Sequence, residues 1–475
     1  MNALRGGVLA SVLAVSACAV GPDFKRPEPP HVDRYVPGTP PASSDAQRFI
    51  DSRPVPANWW SAFGSPELDA LVAEALRANP TVAAAQAALR QARENYLAQR
   101  GAYFPTVAVS GDASRNRNAV QVLSPTLTSG EALFNLYTAD VSVAYTLDLF
   151  GANRRAVESL EALADAGRFQ LDATYLTVAG NVVVAAIQQA GLAAEVEATE
   201  RTIGFGRESL GILKRQLELG AIDRLDVAAQ EAALAQLEGS LPPLRRQLEA
   251  TRHLLAVLTG RLPADAPADS FSLASLSLPA EIPLGVPTEL VNRRPDVRAA
   301  EAGLHAATAA DGVAIANLLP QIAIAGSIGS SATAVADVLK AGTGFWSIGA
   351  DLTQTLFAGG ALVHRKRAAD AALDEAGAQY RATVLGAFQN VADALRALET
   401  DGAALEAASR AQRAAEESMG IVHRQLELGG VSYLGLIAAE QTYEQATLAE
   451  LAARTSRLAD TAVLYQALAG PVTAR

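Results

Sequence analysis

Residues Arg215–Gly220 read RQLELG, and residues Arg424–Gly429 read RQLELG again, 209 positions later. One such identity can arise by chance in alanine-rich helices, so the flanking sequence decides. Leu254–Gly260 (LLAVLTG) resembles Leu464–Gly470 (LYQALAG) at an offset of 210, and Leu149-Phe150 recurs as Leu356-Phe357 at 207. Upstream, NPTVAAAQAAL and YFPTVAVSG within Asn79–Gly111 are answered by RPDVRAAEAGL and LLPQIAIAG within Arg294–Gly326, at 215. Four matches in the same order, with offsets that drift only by small insertions, mark a duplicated chain.

Each copy predicts the same parts. A helix runs from Pro80 to Tyr103 and again from Pro295 to Leu318, with proline at its first turn. A β-hairpin follows. Ala152–Leu219 and Ala361–Leu428 are then nearly free of proline and rich in Ala, Leu, Glu, Gln and Arg. At ~1.5 Å per residue each makes a helix of roughly 100 Å, far longer than a globular core requires. Turns at Gly220 and at Gly429-Gly430 send the chain back through return helices ending near Gly260 and Gly470, and Pro242-Pro243 is expected to break the first of these. The predicted division is a signal peptide at 1–17, a proline-rich segment at 18–62, a first repeat at 63–262, a linker at 263–288 and a second repeat at 289–475. Within the repeats the β-hairpins fall at about 104–150 and 320–358, and the long helical hairpins at about 152–260 and 360–470.

The hairpins carry a membrane pattern. Val141, Val143, Tyr145, Leu147 and Leu149 alternate with Ser142, Ala144, Thr146 and Asp148. Val107 and Val109 alternate with Ala108 and Ser110 after Pro105, and Ile322, Ile324, Gly326 and Ile328 with small residues. Trp346, Ile348, Ala350 and Leu352 alternate with Ser347, Gly349, Asp351 and Thr353. About ten residues of period two suit a tilted strand crossing a bilayer. Four strands cannot close a barrel, which needs about eight, and lipid tolerates no unpaired strand edge. Several chains must therefore share one barrel, with apolar residues facing lipid and Asp148, Thr146, Asp351 and Thr353 facing the lumen.

The start of the chain reads as an address. Arg5, the apolar Val8–Val15 and the small Ser16-Ala17 precede Cys18, the only cysteine, as in a lipoprotein signal. Cys18 is thus the candidate lipidation site, and Ala19 is not the Asp associated with inner-membrane retention. Ala173–Ala194 carries no charge over 22 residues, enough to span a bilayer, yet holds Asn181, Gln188 and Gln189. It is read as a buried helix within a helical assembly.

Composition agrees. Of 475 residues 50% are hydrophobic and 19% charged, which excludes a disordered chain, and a single Cys excludes a disulfide scaffold. A net charge of −11 argues against nucleic acid as partner. The five histidines form no metal-ligand spacing, Gly204-Phe205-Gly206 lies inside a helix rather than after a strand, and no Gly-x-Ser-x-Gly elbow occurs. An enzyme, a metal centre and a cofactor are therefore not expected. A solitary porin would not need the long helices, and a periplasmic scaffold would not need the strands.

The chain resembles the TolC-like outer-membrane factor family, in its lipoprotein branch of the OprM and NodT type. The resemblance rests on Cys18-Ala19-Val20-Gly21-Pro22-Asp23-Phe24-Lys25-Arg26-Pro27, on Trp59-Trp60 with Phe63, Leu68, Leu71 and Asn79-Pro80, and on LGAIDRLDVAAQE (Leu219–Glu231) and LGGVSYLGLIAAEQ (Leu428–Gln441). It implies a mainly α fold with a β-barrel part: a homotrimer with a 12-stranded barrel in the outer membrane of a Gram-negative bacterium and a long periplasmic α-helical barrel. It further implies a palmitate-type lipid anchor, a periplasmic adaptor protein and an inner-membrane efflux pump of the RND type that exports drugs. The adaptor-docking tips would be Gly220, Ala221, Ile222, Asp223 and Leu225, with Gly429, Gly430, Val431, Ser432 and Leu434. Family members narrow the entrance with aspartates on the second return helix. Here Gly435 and Ala438 stand in those places, leaving Asp226 and Glu440 as entrance-gate candidates, while Asp148 and Asp351 are the barrel-lumen candidates.

Overall fold

The structure is a computed structural model and describes residues 19–30, 32, 34–36, 47–51, 55–117, 133–266 and 271–471. In chain order, β1 (Arg48–Asp51), α1 (Pro66–Ala78), α2 (Pro80–Arg100), β2 (Thr106–Arg117), β3 (Leu133–Leu147), α3 (Ala152–Glu218) and α4 (Arg224–Leu258) come first. They are followed by β4 (Glu281–Leu284), α5 (Pro287–Arg293), α6 (Pro295–Ala316), β5 (Gln321–Ala332), β6 (Gly344–Thr353), α7 (Ala361–Glu427) and α8 (Tyr433–Leu468). The duplication is visible in the elements, because α3 and α7 are each 67 residues long. Signal-peptide residues 1–17 and Cys18 lie outside the described residues.

The chain falls into two units. The first takes residues up to Pro27, Arg90–Ala166 and Ala300–Tyr380. It holds one antiparallel sheet in the order β2-β3-β5-β6, so the two hairpins of the duplication join edge to edge through β3 and β5. The segment after Cys18 is fastened to this unit. Val20 N donates to Phe150 O at 3.0 Å, Phe24 stacks on His305 with ring centroids 4.4 Å apart, and Arg26 pairs with Glu301 at 3.0 Å. The Arg155 guanidinium, almost fully buried, reaches both Asp23 (2.5 Å) and Glu158 (2.8 Å), and Glu158 also contacts His305 at 2.9 Å. A buried guanidinium needs such partners to offset lost hydration.

The second unit takes Glu28–Leu89, Gly167–Ala299 and Arg381 onward. Its core is where the uncharged run of α3 goes: Val182, Val183, Ala186, Ile187 and Ala190 are fully buried, beside Trp59, Phe63, Leu68 and Tyr465. Trp59 and Tyr465 stack with centroids 5.9 Å apart. The most apolar stretch of α3 is thus 67% buried inside the protein. Such a core requires close helix approach. An added Cβ at Gly191 of α3 would stand 2.3 Å from Thr455 Oγ1 of α8, so only glycine fits. Ahead of this core, Ser65 caps α1 by accepting from Leu68 N at 3.3 Å, and Pro66 occupies the first helical position.

One expectation is corrected. Pro242 and Pro243 do not break the return helix, since α4 runs unbroken through both. Both prolines, and Glu238 and Gly239 whose carbonyls lose a donor, are exposed, so water can satisfy what the pyrrolidine rings remove. The proline-rich stretches at either end of the first repeat each contain one short strand. Within them β1 pairs in parallel with β4, matching Arg48 with Glu281 through Asp51 with Leu284.

Candidate functional site: a two-faced sheet and two helical turns

The register of the four-stranded sheet sorts its side chains by face. Residues opposite each other across strands share a face, so Val109, Val141, Ile328 and Trp346 form one row, and Val107, Val143, Gly326 and Ile348 the next. Tyr145, Ile324 and Ala350 follow, then Leu147, Ile322 and Leu352. This apolar band lies open: Val109 is 82% exposed, Trp346 75% and Ile348 74%. A contiguous patch of this kind on a soluble protein would be an aggregation site, whereas in a bilayer it is the required surface.

The opposite face is polar. Ser110 donates to Asp140 at 2.6 Å, Ser327 and Ser347 oxygens lie 2.8 Å apart, and Thr138 and Ser331 oxygens 3.1 Å. Asp351, opposite Ala323, belongs to this face. So do Asp140 and Asp112, which sequence reasoning missed. The signal was available: extending the alternation of β3 upstream of Val141 puts Asp140 in the same register as Ser142. Asp148 requires a correction. It lies one residue past β3, and its carboxylate accepts from Asn153 N and Arg154 N, each at 2.9 Å, and pairs with Arg154 at 3.3 Å. An acidic group is favoured there because the first amides of a helix have no intrahelical acceptor. Asp148 therefore closes the start of α3 and is not a strand residue.

The two long-helix turns are built alike. Gly220 (φ 71°) donates to Leu217 O at 3.0 Å and Ala221 to Gln216 O at 2.9 Å. Gly429 (φ 73°) donates to Leu426 O at 3.0 Å and Gly430 to Gln425 O at 2.8 Å. This paired bonding is the Schellman ending, whose left-handed residue favours glycine. Of the tip residues, Ala221, Asp223 and Ser432 are exposed, Ile222 and Val431 partly so. Leu219 (83% exposed), Leu225 and Leu434 leave large apolar groups in solvent at these turns. Leucines open at the end of a helical hairpin are suited to cover by another surface.

The entrance candidates differ in surroundings. Asp226 sits in the first turn of α4 and is partly exposed. Glu440 lines a cavity with Phe205, Ile212 and His423, and burial pushes its carboxyl above the usual range, with His423 pulling the other way. Glu444, one turn further along α8, is also shifted upward by burial. No group of three or more potential metal ligands occurs among the described residues.

A duplicated chain with a two-faced antiparallel sheet and two helical hairpins defines a membrane channel subunit of the outer-membrane factor class. The family described as outer membrane efflux protein matches residues 71–261 and 286–470, and the chain belongs to it. The pyoverdine export outer membrane protein OpmQ of Pseudomonas putida is 30% identical over 434 residues, covering 90% of each chain. Among solved structures, the outer-membrane channel OprN superposes with a TM-score of 0.85 at 28% identity, covering 96% of this chain and all of that one. The open state of the Neisseria gonorrhoeae MtrE outer membrane channel gives 0.82 at 26% identity, covering 96% and 99%. The protein is thus an outer-membrane efflux component of a Gram-negative bacterium, and a channel rather than an enzyme.

Proposed function

We propose that three copies of the chain assemble into a passive exit duct, with a shared 12-stranded barrel in the outer membrane and a helical tunnel reaching into the periplasm. The observation that carries this reading is the four-stranded sheet, apolar on one face, polar on the other, with the outer edges of β2 and β6 unpaired among the described residues. In lipid those edges require partners, and other copies of the same sheet supply them. The duct contains no energy source of its own, so an inner-membrane pump, of the RND type in this reading, drives export of drugs or other small molecules through a periplasmic adaptor. The adaptor docks at the turns around Gly220 to Leu225 and Gly429 to Leu434, whose open leucines offer the apolar contact. Asp226 and Glu440 are the acidic entrance-gate candidates of this reading. Cys18 carries the lipid anchor, a firm tether beside the barrel, since acyl chains add ~0.8 kcal/mol per buried CH₂.

The test is the mass of the particle extracted from purified outer membranes in mild detergent. A protein mass of three chains is expected. A soluble monomer, or protein confined to inner membranes, overturns the duct. Cys18→Ala should abolish acyl labelling and leave the trimer inserted; loss of insertion would make the anchor essential.

A further inference from the structure

We propose that the groove between α3, α7 and α8, near the helical turns, binds one amphipathic organic cation per chain, with Glu440 as its counter-ion. The groove is a cavity of about 390 Å³, the size of a small organic ligand. It takes Phe205 and Ile212 from α3, Met419 and His423 from α7, and Glu440 and Tyr443 from α8, all within the second unit. By residue count it lies about 10–25 Å from the turns at Gly220 and Gly429.

Three observations select the ligand class. Phe205 is 55% exposed and Ile212 46%, so the groove presents unfilled apolar surface that an organic body would cover. Met419 adds a soft, adaptable wall, and the Phe205 and Tyr443 rings suit a cation over their faces. The charge is the wrong sign for an anion, since Glu208 and Glu440 face a single titratable base, His423. A bare metal ion is not the expected occupant, because Glu208, Glu440 and His423 do not gather into a metal-holding group among the described residues. Burial disfavours the charged form of Glu440, and within the groove the nearby His423 opposes this. A cation seated beside it would replace the lost hydration, which turns an unfavourable carboxylate into the specificity element.

The Gly204-Phe205-Gly206 run, unsuited to phosphate, finds a role in this arrangement. An added Cβ at Gly206 would come within 3.3 Å of Leu234 Cδ1, and Gln230 donates to Gly206 O at 3.2 Å, so α4 packs closely behind Phe205. Phe205 itself lines the groove and is 55% exposed. The assignment needs this helical geometry and nothing about which solute the duct carries.

The experiment is titration calorimetry on the full-length protein in mild detergent. The probes are tetraphenylphosphonium and, as a neutral counterpart, triphenylphosphine oxide. Saturable binding of one phosphonium per chain is expected, with the neutral probe at least tenfold weaker. Glu440→Gln, which keeps the shape, should weaken phosphonium binding tenfold or more, and Tyr443→Leu several-fold, in preparations that retain the wild-type particle mass. Equal affinity for both probes, unchanged affinity in both variants, or no binding beyond micelle partitioning overturns the site.

Discussion

Gly191 shows how a single missing methyl group fixes a helix pair. Thr455 presents its Oγ1, Cγ2 and Cβ at 2.3, 2.7 and 3.0 Å from where a Cβ would be built, and a β-branched residue on a helix cannot swing away. Gly191→Ala should therefore destabilise the protein by about 1–3 kcal/mol, read as a lower melting temperature. Titration matters at the same scale. Asp401 of α7 stands beside Asp460 of α8, and burial with that neighbouring charge pushes its carboxyl from 3.8 to about 6, against the pull of Arg457. The folded protein thus holds a proton that the unfolded chain has released, so stability falls as pH rises from about 4 to 6 and stays reduced above it. Asp401→Asn should melt higher than wild type at pH 8, with the gain vanishing at pH 4. A gain that persists at pH 4 would assign the effect to packing. Gly191 and Asp401 stand in the sequence without any local sign of a role. What each faces was not legible, because partners such as Thr455 lie 264 positions away.

At the scale of elements, the patterns that were legible are the local ones. Period-two strands, proline at the first position of α2 and α6, and glycine at the ends of α3 and α7 all act through backbone geometry within a few residues. The β1–β4 pair was not legible, because it joins two four-residue strands more than 200 positions apart with no local periodicity. Pro242-Pro243 was misjudged because helix-breaking depends on whether the freed carbonyls meet water, which local sequence does not reveal. The helix survives, yet two prolines in a helix interior still carry a cost of roughly 3 kcal/mol each before relaxation. Replacing both by alanine should raise the melting temperature by several degrees without changing the particle mass. An unchanged or lower melting temperature would mean that the prolines match a bend the assembly requires.

For the whole molecule, the sheet supplies the argument about conduction. If copies of the chain close a barrel with the apolar band outward, the face carrying Asp112, Asp140 and Asp351 lines the interior. Carboxylates in a narrow, low-dielectric passage raise the local concentration of cations, in line with the chain's overall charge of −11. Asp140 is partly exposed, accepts from Ser110 and lies opposite Gly329, with no helix start to hold it. Asp148 is held differently, committed to the first amides of α3 and to Arg154. The two kinds of aspartate should separate in planar bilayers under a KCl gradient. Asp140→Asn combined with Asp351→Asn should move the reversal potential toward that of a non-selective pore, most at low salt, where screening is weakest. Asp148→Asn should leave the reversal potential unchanged while lowering the melting temperature, since it weakens the closure of a helix start at a cost of about 1 kcal/mol. A shift in selectivity from Asp148 with none from Asp140 and Asp351 would turn the sheet inside out, placing its polar face away from the conducting path.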